Sequence, residues 1–119
     1  MKRPDFLKRN DKIAMIAPSF GVTTEPYLTR YYAAVKNLKK EGFQILEGRN
    51  VHREDGVVSS APAKERAQEF MNAYLSDSSL ILSVGGGELM DEILPDIDFV
   101  KIKNSKPKWF MGFSDNTHL

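Results

Sequence analysis

The sequence has no cysteine. That excludes disulfides, thiolate nucleophiles and most zinc-binding patterns in one step. Histidine is nearly as scarce: His52 and His118 are the only two, too few to found a metal site, and no metal or cofactor is expected. No apolar run approaches the ~20 residues that a membrane-spanning helix needs, and no apolar stretch follows Met1-Lys2-Arg3 as it would in a secretion signal. The expectation is a cytoplasmic protein with no membrane partner. Charge of one sign is missing too: 17 basic residues against 16 acidic ones leave a net charge of +1, so no field favours nucleic acid. The basic N-terminal group Lys2, Arg3, Lys8, Arg9 and Lys12 has only Phe6 as an aromatic neighbour and reads as a solvated leader.

What is present suits one domain. The 119 residues are 41% hydrophobic and 28% charged, and a chain of this size buries roughly 65% of its unfolded surface, enough for one sheet with helices on it. Lys12 to Ala17 is apolar at successive positions, as in a strand covered on both faces, and Pro18 stops it. Pro26 opens a helix with Leu28, Tyr32, Val35 and Leu38 on one stripe, and Gly42 closes it. Phe43 to Leu46 is a second strand. From Glu47 to Pro62 the chain is polar and predicts a surface loop carrying His52; Ser60 is placed to cap the next helix, whose inner side is Ala67, Phe70, Met71 and Tyr74. Ser79 to Val84 is the third strand, Glu88 to Leu94 a short helix closed before Pro95, Asp98 to Lys106 a turn-rich link, and Lys108 to Met111 the fourth strand. Alternating strands and helices predict an α/β fold: a mostly parallel open sheet with flanking helices, a flavodoxin-like three-layer sandwich.

Ligands of such sheets sit beyond the carboxyl ends of the strands. Three loops leave from those ends: Pro18-Ser19, Gly85-Gly86-Gly87-Glu88 and Ser114-Asp115. Ser114 follows the fourth strand directly, in Gly112-Phe113-Ser114-Asp115, and two roles are open to it. Ser-Asp-Asn-Thr is a composition that caps a helix start. A serine at a tight strand-to-helix corner also lifts its hydroxyl clear of the sheet, with the next N–H, that of Asp115, facing a developing oxyanion. The generic hydrolase pattern has glycine on both sides of the serine; here Gly112 stands upstream and Asn116 takes the other place. The glycine triplet likewise reads either as a tight turn or as bare backbone that brings an N–H to a substrate carbonyl. No Gly-Lys-Ser/Thr follows it, so a phosphate cradle is not supported. His118, four residues after Ser114, is on a helix rather than over the strand ends and is not read as its base. The Asp115 side chain is expected to cap its own helix.

The ordered set Ala17-Pro18-Ser19, Gly85-Gly86-Gly87, Leu94-Pro95-Asp96-Ile97-Asp98, Pro107-Lys108 and Gly112-Phe113-Ser114-Asp115 resembles the N-terminal part of the LD-carboxypeptidase family of serine peptidases, which includes microcin immunity peptidases. The resemblance implies that Ser114 is the nucleophile, with amides of Asp115 and of Gly86 or Gly87 as the oxyanion hole. It also implies that glutamate and histidine partners come from a C-terminal domain to which nothing in these residues corresponds. Residues 1–119 are therefore expected to be the nucleophile-bearing piece of a longer protein, inactive alone. The implied substrate is a small peptide, either a murein tetrapeptide losing its terminal D-alanine or a microcin-type peptide-nucleotide. The murein enzymes commonly carry Arg-Gly-Gly-Tyr-Gly where this chain has Ser83-Val84-Gly85-Gly86-Gly87-Glu88, which brings it nearer the immunity branch. A non-catalytic α/β module binding a small anionic ligand in the same crevice, and a homodimer through a bare face, are the other readings left open.

Overall fold

The computed structural model describes all of residues 1–119. Four strands, β1 (Lys12–Ile16), β2 (Gln44–Glu47), β3 (Leu80–Ser83) and β4 (Trp109–Met111), form one sheet in the order β2-β1-β3-β4, with every pair parallel. Helix α1 (Tyr27–Lys40) joins β1 to β2, and α2 (Ala63–Leu75) joins β2 to β3. A 3-10 helix at Met90–Asp96 and the short α3 (Phe99–Asn104) lie between β3 and β4, and a second 3-10 turn, Ser114–His118, follows β4. This is the expected α/β sandwich.

Alternation along the strands builds two apolar layers. Ala14, Ile16 and Ile81 face α2 and the first 3-10 helix, where they pack with Ala67, Phe70, Met71, Met90 and Ile93. Ile13, Met15 and Leu80 face the other way, onto Tyr31 of α1, Val22 and Val51. Strand β4 is covered on one side only: Phe110 meets Phe70 edge to face at 6.3 Å, whereas Trp109 and Met111, on the opposite face, are 38% and 58% exposed. Trp109 Nε1 donates to the Asp5 carbonyl at 2.9 Å, so the N-terminal segment lies against the domain, with Leu7 packed into the α1 layer.

Several local expectations need correction. Tyr31, not Tyr32, is the inward tyrosine of α1; Tyr32 is 55% exposed. Tyr31 packs in the layer that Val35 and Leu38 of the same helix adjoin, four and seven residues on. Gly42, at φ 97°, is the left-handed cap its position suggests. The helix after the glycine triplet is a 3-10 helix that runs through Pro95, and the segment after Asp98 is helical because the Asp98 carboxylate accepts from Lys101 N–H at 2.9 Å. The stretch from Glu47 to Pro62 is not all surface: Asn50, Val51, Ser59, Ser60 and Ala61 are buried. Ser60 does not cap α2; its hydroxyl donates to the Ala17 carbonyl at 2.7 Å and its N–H to the Ser19 carbonyl at 2.7 Å.

Where loop backbone is buried, polar side chains must satisfy it. Glu69 on α2, only 4% exposed, accepts from Ala17 N–H at 2.7 Å and Asn50 N–H at 2.6 Å, tying the end of β1 to the loop after β2. Desolvation raises the Glu69 pKa, and the two N–H donors oppose that shift only in part. A carboxyl whose folded pKa is raised above its unfolded value of about 4.3 stabilises the fold most below that value. The contribution is lost as pH rises through the folded pKa. The stability of the parent chain relative to Glu69→Gln, from urea titrations between about pH 4 and pH 8, should therefore fall as pH rises. A gap widening in the parent's favour would show that the ionised carboxylate is the preferred buried form.

Candidate active site at the strand ends

Loops from β1 and β3 diverge here. The chain leaves β1 toward the α1 face and leaves β3 toward the opposite one, and the strands are neighbours, so their C-terminal ends form a topological switch point. The end of β4 adjoins β3 and completes the crevice.

At β4 the chain turns within three residues. A Cβ on Gly112 would lie 2.9 Å from the Asn116 Cβ and 3.2 Å from the Phe110 ring, so the tight approach calls for glycine. Phe113 is extended, at φ −144° and ψ 167°, and Ser114 then takes φ 56°, the left-handed region that a residue with a Cβ seldom occupies. The 3-10 turn that begins at Ser114 has no side-chain cap. The Ser114 side chain does not cap the turn. Ser114 is exposed.

The glycine turn packs against this corner. A Cβ built on Gly86 would sit 3.1 Å from the Ser114 Cβ and 3.4 Å from its Oγ, and one on Gly87 would collide with Ser19 Oγ at 1.9 Å. Gly86 is held by Phe20, whose N–H donates to its carbonyl at 3.1 Å. The N–H groups of Gly86, Gly87 and Asp115 have no partner within the chain. All four residues singled out from the sequence, Ser114, Asp115, Gly86 and Gly87, thus lie at one end of the sheet.

The Asp115 side chain does not cap its own helix. It points inward, 6% exposed, and one oxygen, Oδ2, accepts from both Ser19 Oγ at 2.6 Å and Met90 N–H at 2.8 Å. Asn116 is fully buried, and its Nδ2 donates to the Gly85 carbonyl. His118 is 62% exposed, with Nδ1 3.7 Å from Asp115 Oδ1. His52 lies away from the corner: Nε2 is 3.2 Å from Glu47 Oε2, Nδ1 is 3.1 Å from the Val22 carbonyl, and its ring stacks on Tyr32. Burial and the hydrogen bond to Glu47 push the pKa of neighbouring Tyr31 well above the ordinary phenol value.

Sequence reasoning missed Arg66. The residue is 1% exposed, and its guanidinium donates to the carbonyls of Ala61 at 2.7 Å, Pro18 at 2.9 Å and Leu89 at 2.9 Å, and to Glu92 Oε2 at 2.8 Å. One side chain thereby joins the loops that follow β1, β2 and β3. Nothing in the local pattern signals this, because a single arginine on an amphipathic helix ordinarily faces water.

A cleft of about 610 Å³ opens beside the glycine turn, walled by Phe20, Val22, Tyr27, Val58 and Phe113 with Arg53 and Glu54 at its polar side. Arg53 is already engaged: Nε and Nη2 grip Asp55 at 2.7 and 2.5 Å, while Nη1 reaches Asn50 Oδ1 at 3.0 Å and also Glu65. Those carboxylates raise its pKa further, and Arg53 holds that of Asp55 down. A second hollow, about 540 Å³, lies at the opposite end of the sheet among polar groups that include Asp5, Asp77 and Lys108. It is remote from the serine corner. Burial lowers the Lys108 pKa, and its ammonium is used up on the Ser76 and Ser78 carbonyls.

Comparison with known proteins agrees with this fold. Residues 13–119 match the family model described as the LD-carboxypeptidase N-terminal domain. The microcin C7 self-immunity protein MccF of Escherichia coli is 35% identical over 91 residues, 76% of this chain and 26% of that protein. The murein tetrapeptide carboxypeptidase of Pseudomonas aeruginosa is 24% identical over 105 residues, 87% of this chain and 33% of that one. Among solved structures, MccF in complex with aspartyl sulfamoyl adenosine superposes with a TM-score of 0.84 at 31% identity, covering 98% of this chain and 33% of the other. An MccF-like protein from Bacillus anthracis gives 0.82 at 30%, covering 96% and 34%. The chain spans between a quarter and a third of the length of these relatives. It belongs to the LD-carboxypeptidase family of peptidases and carries that family's N-terminal domain.

Proposed function

We propose that Ser114 is the nucleophile of a serine peptidase of which these residues form the N-terminal domain. The observation that carries the reading is the left-handed φ of an exposed serine at a strand end, in contact with a glycine backbone and flanked by amides without partners. A strained strand-to-helix corner is how hydrolases on parallel sheets present a serine hydroxyl. In the structural neighbour MccF, an active-site mutant replaces a serine with alanine, which accords with serine chemistry on this fold.

In the proposed reaction Ser114 Oγ attacks the carbonyl carbon of an amide bond as a base removes its proton. The carbonyl oxygen becomes an oxyanion and accepts from the N–H of Asp115 and of Gly86 or Gly87; one such donor contributes about 3 kcal/mol to lowering the barrier. The amine leaves with a proton from the same base, and water then hydrolyses the acyl-enzyme. The base is assigned to a histidine, oriented by a glutamate, outside residues 1–119. Neither histidine present suits the role: His52 is committed to Glu47 and Val22, and His118 lies by the Asp115 carboxylate.

The substrate is proposed to be a peptide-nucleotide of the microcin type. Solved MccF structures contain aspartyl sulfamoyl adenosine and glutamyl sulfamoyl guanosine, and the identity to MccF is 35% against 24% for the murein enzyme. Exposed rings of Phe20, Tyr27 and Phe113 beside the cleft provide apolar faces of the kind on which bases stack. No helix is long and apolar enough to cross a membrane.

A fluorophosphonate probe on the full-length protein tests the first step. Labelling is expected at Ser114 alone and should vanish in Ser114→Ala; a folded parent that takes no label at Ser114 would instead be a non-catalytic binding module. Substrate preference is tested by turnover of an aminoacyl sulfamoyl adenosine against a murein LD-tetrapeptide. We expect kcat/KM for the nucleotide to be higher by at least about tenfold, a difference of 1.4 kcal/mol. The opposite ratio would move the protein to the murein branch.

A further inference from the structure

Two consecutive side chains grip the glycine turn at both ends. The Asp115 carboxylate takes the Met90 N–H at 2.8 Å, and the Asn116 amide donates to the Gly85 carbonyl, so the segment from Gly86 to Leu89 is bracketed by residues next to Ser114 in sequence. The same Asp115 oxygen accepts from Ser19 Oγ at 2.6 Å, and Ser19 stands where any side chain on Gly87 would have to go. Serine corner, β1 loop and glycine turn are therefore joined through one carboxylate and one carboxamide. We propose that Asp115 and Asn116 are positioning residues whose side chains set the distance between the Gly86 and Gly87 amides and the Ser114 hydroxyl.

Burial and charge both support this role. A carboxylate one residue from an oxyanion would oppose it if it faced the crevice. Here the Asp115 carboxylate is turned away and spends its charge on two donors inside the fold, which leaves its own backbone N–H free. Asn116 is wholly buried and keeps its Oδ1 without any partner. An unpaired buried acceptor forfeits its bond to water without replacement, so stability alone would favour an apolar side chain there. What an apolar side chain could not supply is the donor to Gly85. Asn116 stands where the generic hydrolase pattern has glycine, and it turns that place into a clamp.

The inference rests on the reading of Ser114 as nucleophile, and the test separates the two. On the full-length protein, the maximal rate of fluorophosphonate labelling and the half-saturating probe concentration are measured for the parent, Asp115→Ala, Asp115→Asn and Asn116→Ala, with melting temperatures alongside. Misplacing oxyanion donors by an ångström costs on the order of 100-fold. The maximal rate should accordingly fall at least about tenfold in Asp115→Ala and Asn116→Ala, with the half-saturating concentration within threefold of the parent. Asp115→Asn, which keeps an acceptor oxygen for Ser19 and Met90, should recover most of the loss. A merely structural role would reduce the fraction of labelled protein and the melting temperature but leave the rate of the folded fraction unchanged. That result, with Ser114 still labelled, overturns the positioning role and leaves the nucleophile standing. If Asp115→Ala does not fold, Asn116→Ala and Asp115→Asn decide the question by the same rates. A folded parent that takes no label at Ser114 ends both.

Discussion

A left-handed backbone at a residue with a Cβ costs about 1–3 kcal/mol and lasts only where the surroundings over-determine it. At Ser114 the surroundings do so from three directions. Upstream, Gly112 lets the chain pass close against Phe110 and Asn116. Downstream, Asp115 and Asn116 are anchored in the interior by bonds to Ser19, Met90 and Gly85. Beside it, Gly86 packs so closely that a Cβ there would lie 3.1 Å from the Ser114 Cβ. The corner stays open because its neighbours cannot move, and an exposed hydroxyl is the result.

Those neighbours are fixed by an unusual use of buried polarity. The centre of the sheet is apolar on both faces, with Ile13, Ile16 and Ile81 at most 1% exposed. At the strand ends, buried Arg66, Glu69, Ser60 and Asn116 spend hydrogen bonds on loop backbone, and buried Ser19 donates to the Asp115 carboxylate. Burying an arginine or glutamate costs several kcal/mol before pairing, and an apolar side chain of similar size would often give an equally stable fold. What apolar packing cannot do is specify where a carbonyl or an N–H lies to within a few tenths of an ångström. The two layers around the sheet therefore supply stability. The polar frame above them supplies geometry, and the crevice depends on the second as much as on the first.

This division explains what the sequence disclosed. The strands were legible because continuous apolar runs such as Ile13 to Ile16 and Leu80 to Leu82 have only one reading in an alternating chain, and punctuation by Pro18, Gly42 and the glycine triplet marked their ends. The convergence of Gly86, Gly87, Ser114 and Asp115 followed from strand direction alone. The polar frame was not legible. Arg66 and Glu69 look like solvent-facing positions of α2, and Ser60 looks like its cap, because each makes its bonds to loop backbone remote in sequence. Asp115 was misjudged for the same reason: local pattern suggests a cap, while its partners are 96 and 25 residues away. Tyr31 and Tyr32 fit the stripe almost equally as adjacent tyrosines, and only packing against Ile13, Met15 and Val51 of distant segments decides between them.

On the proposed reading, this domain holds the parts of the reaction that must not move and lacks the part that must exchange protons. Amide donors at the ends of packed strands need no reorganisation when charge develops, which is where most of their value lies. A serine hydroxyl without a base, by contrast, is a poor nucleophile near neutral pH, so the corner can be fully arranged and still chemically silent. Arg53 makes the same point for binding: it lines the cleft, yet four of its five N–H donors are already engaged by Asp55, Glu65 and Asn50, so most of its charge is spent on the cleft wall.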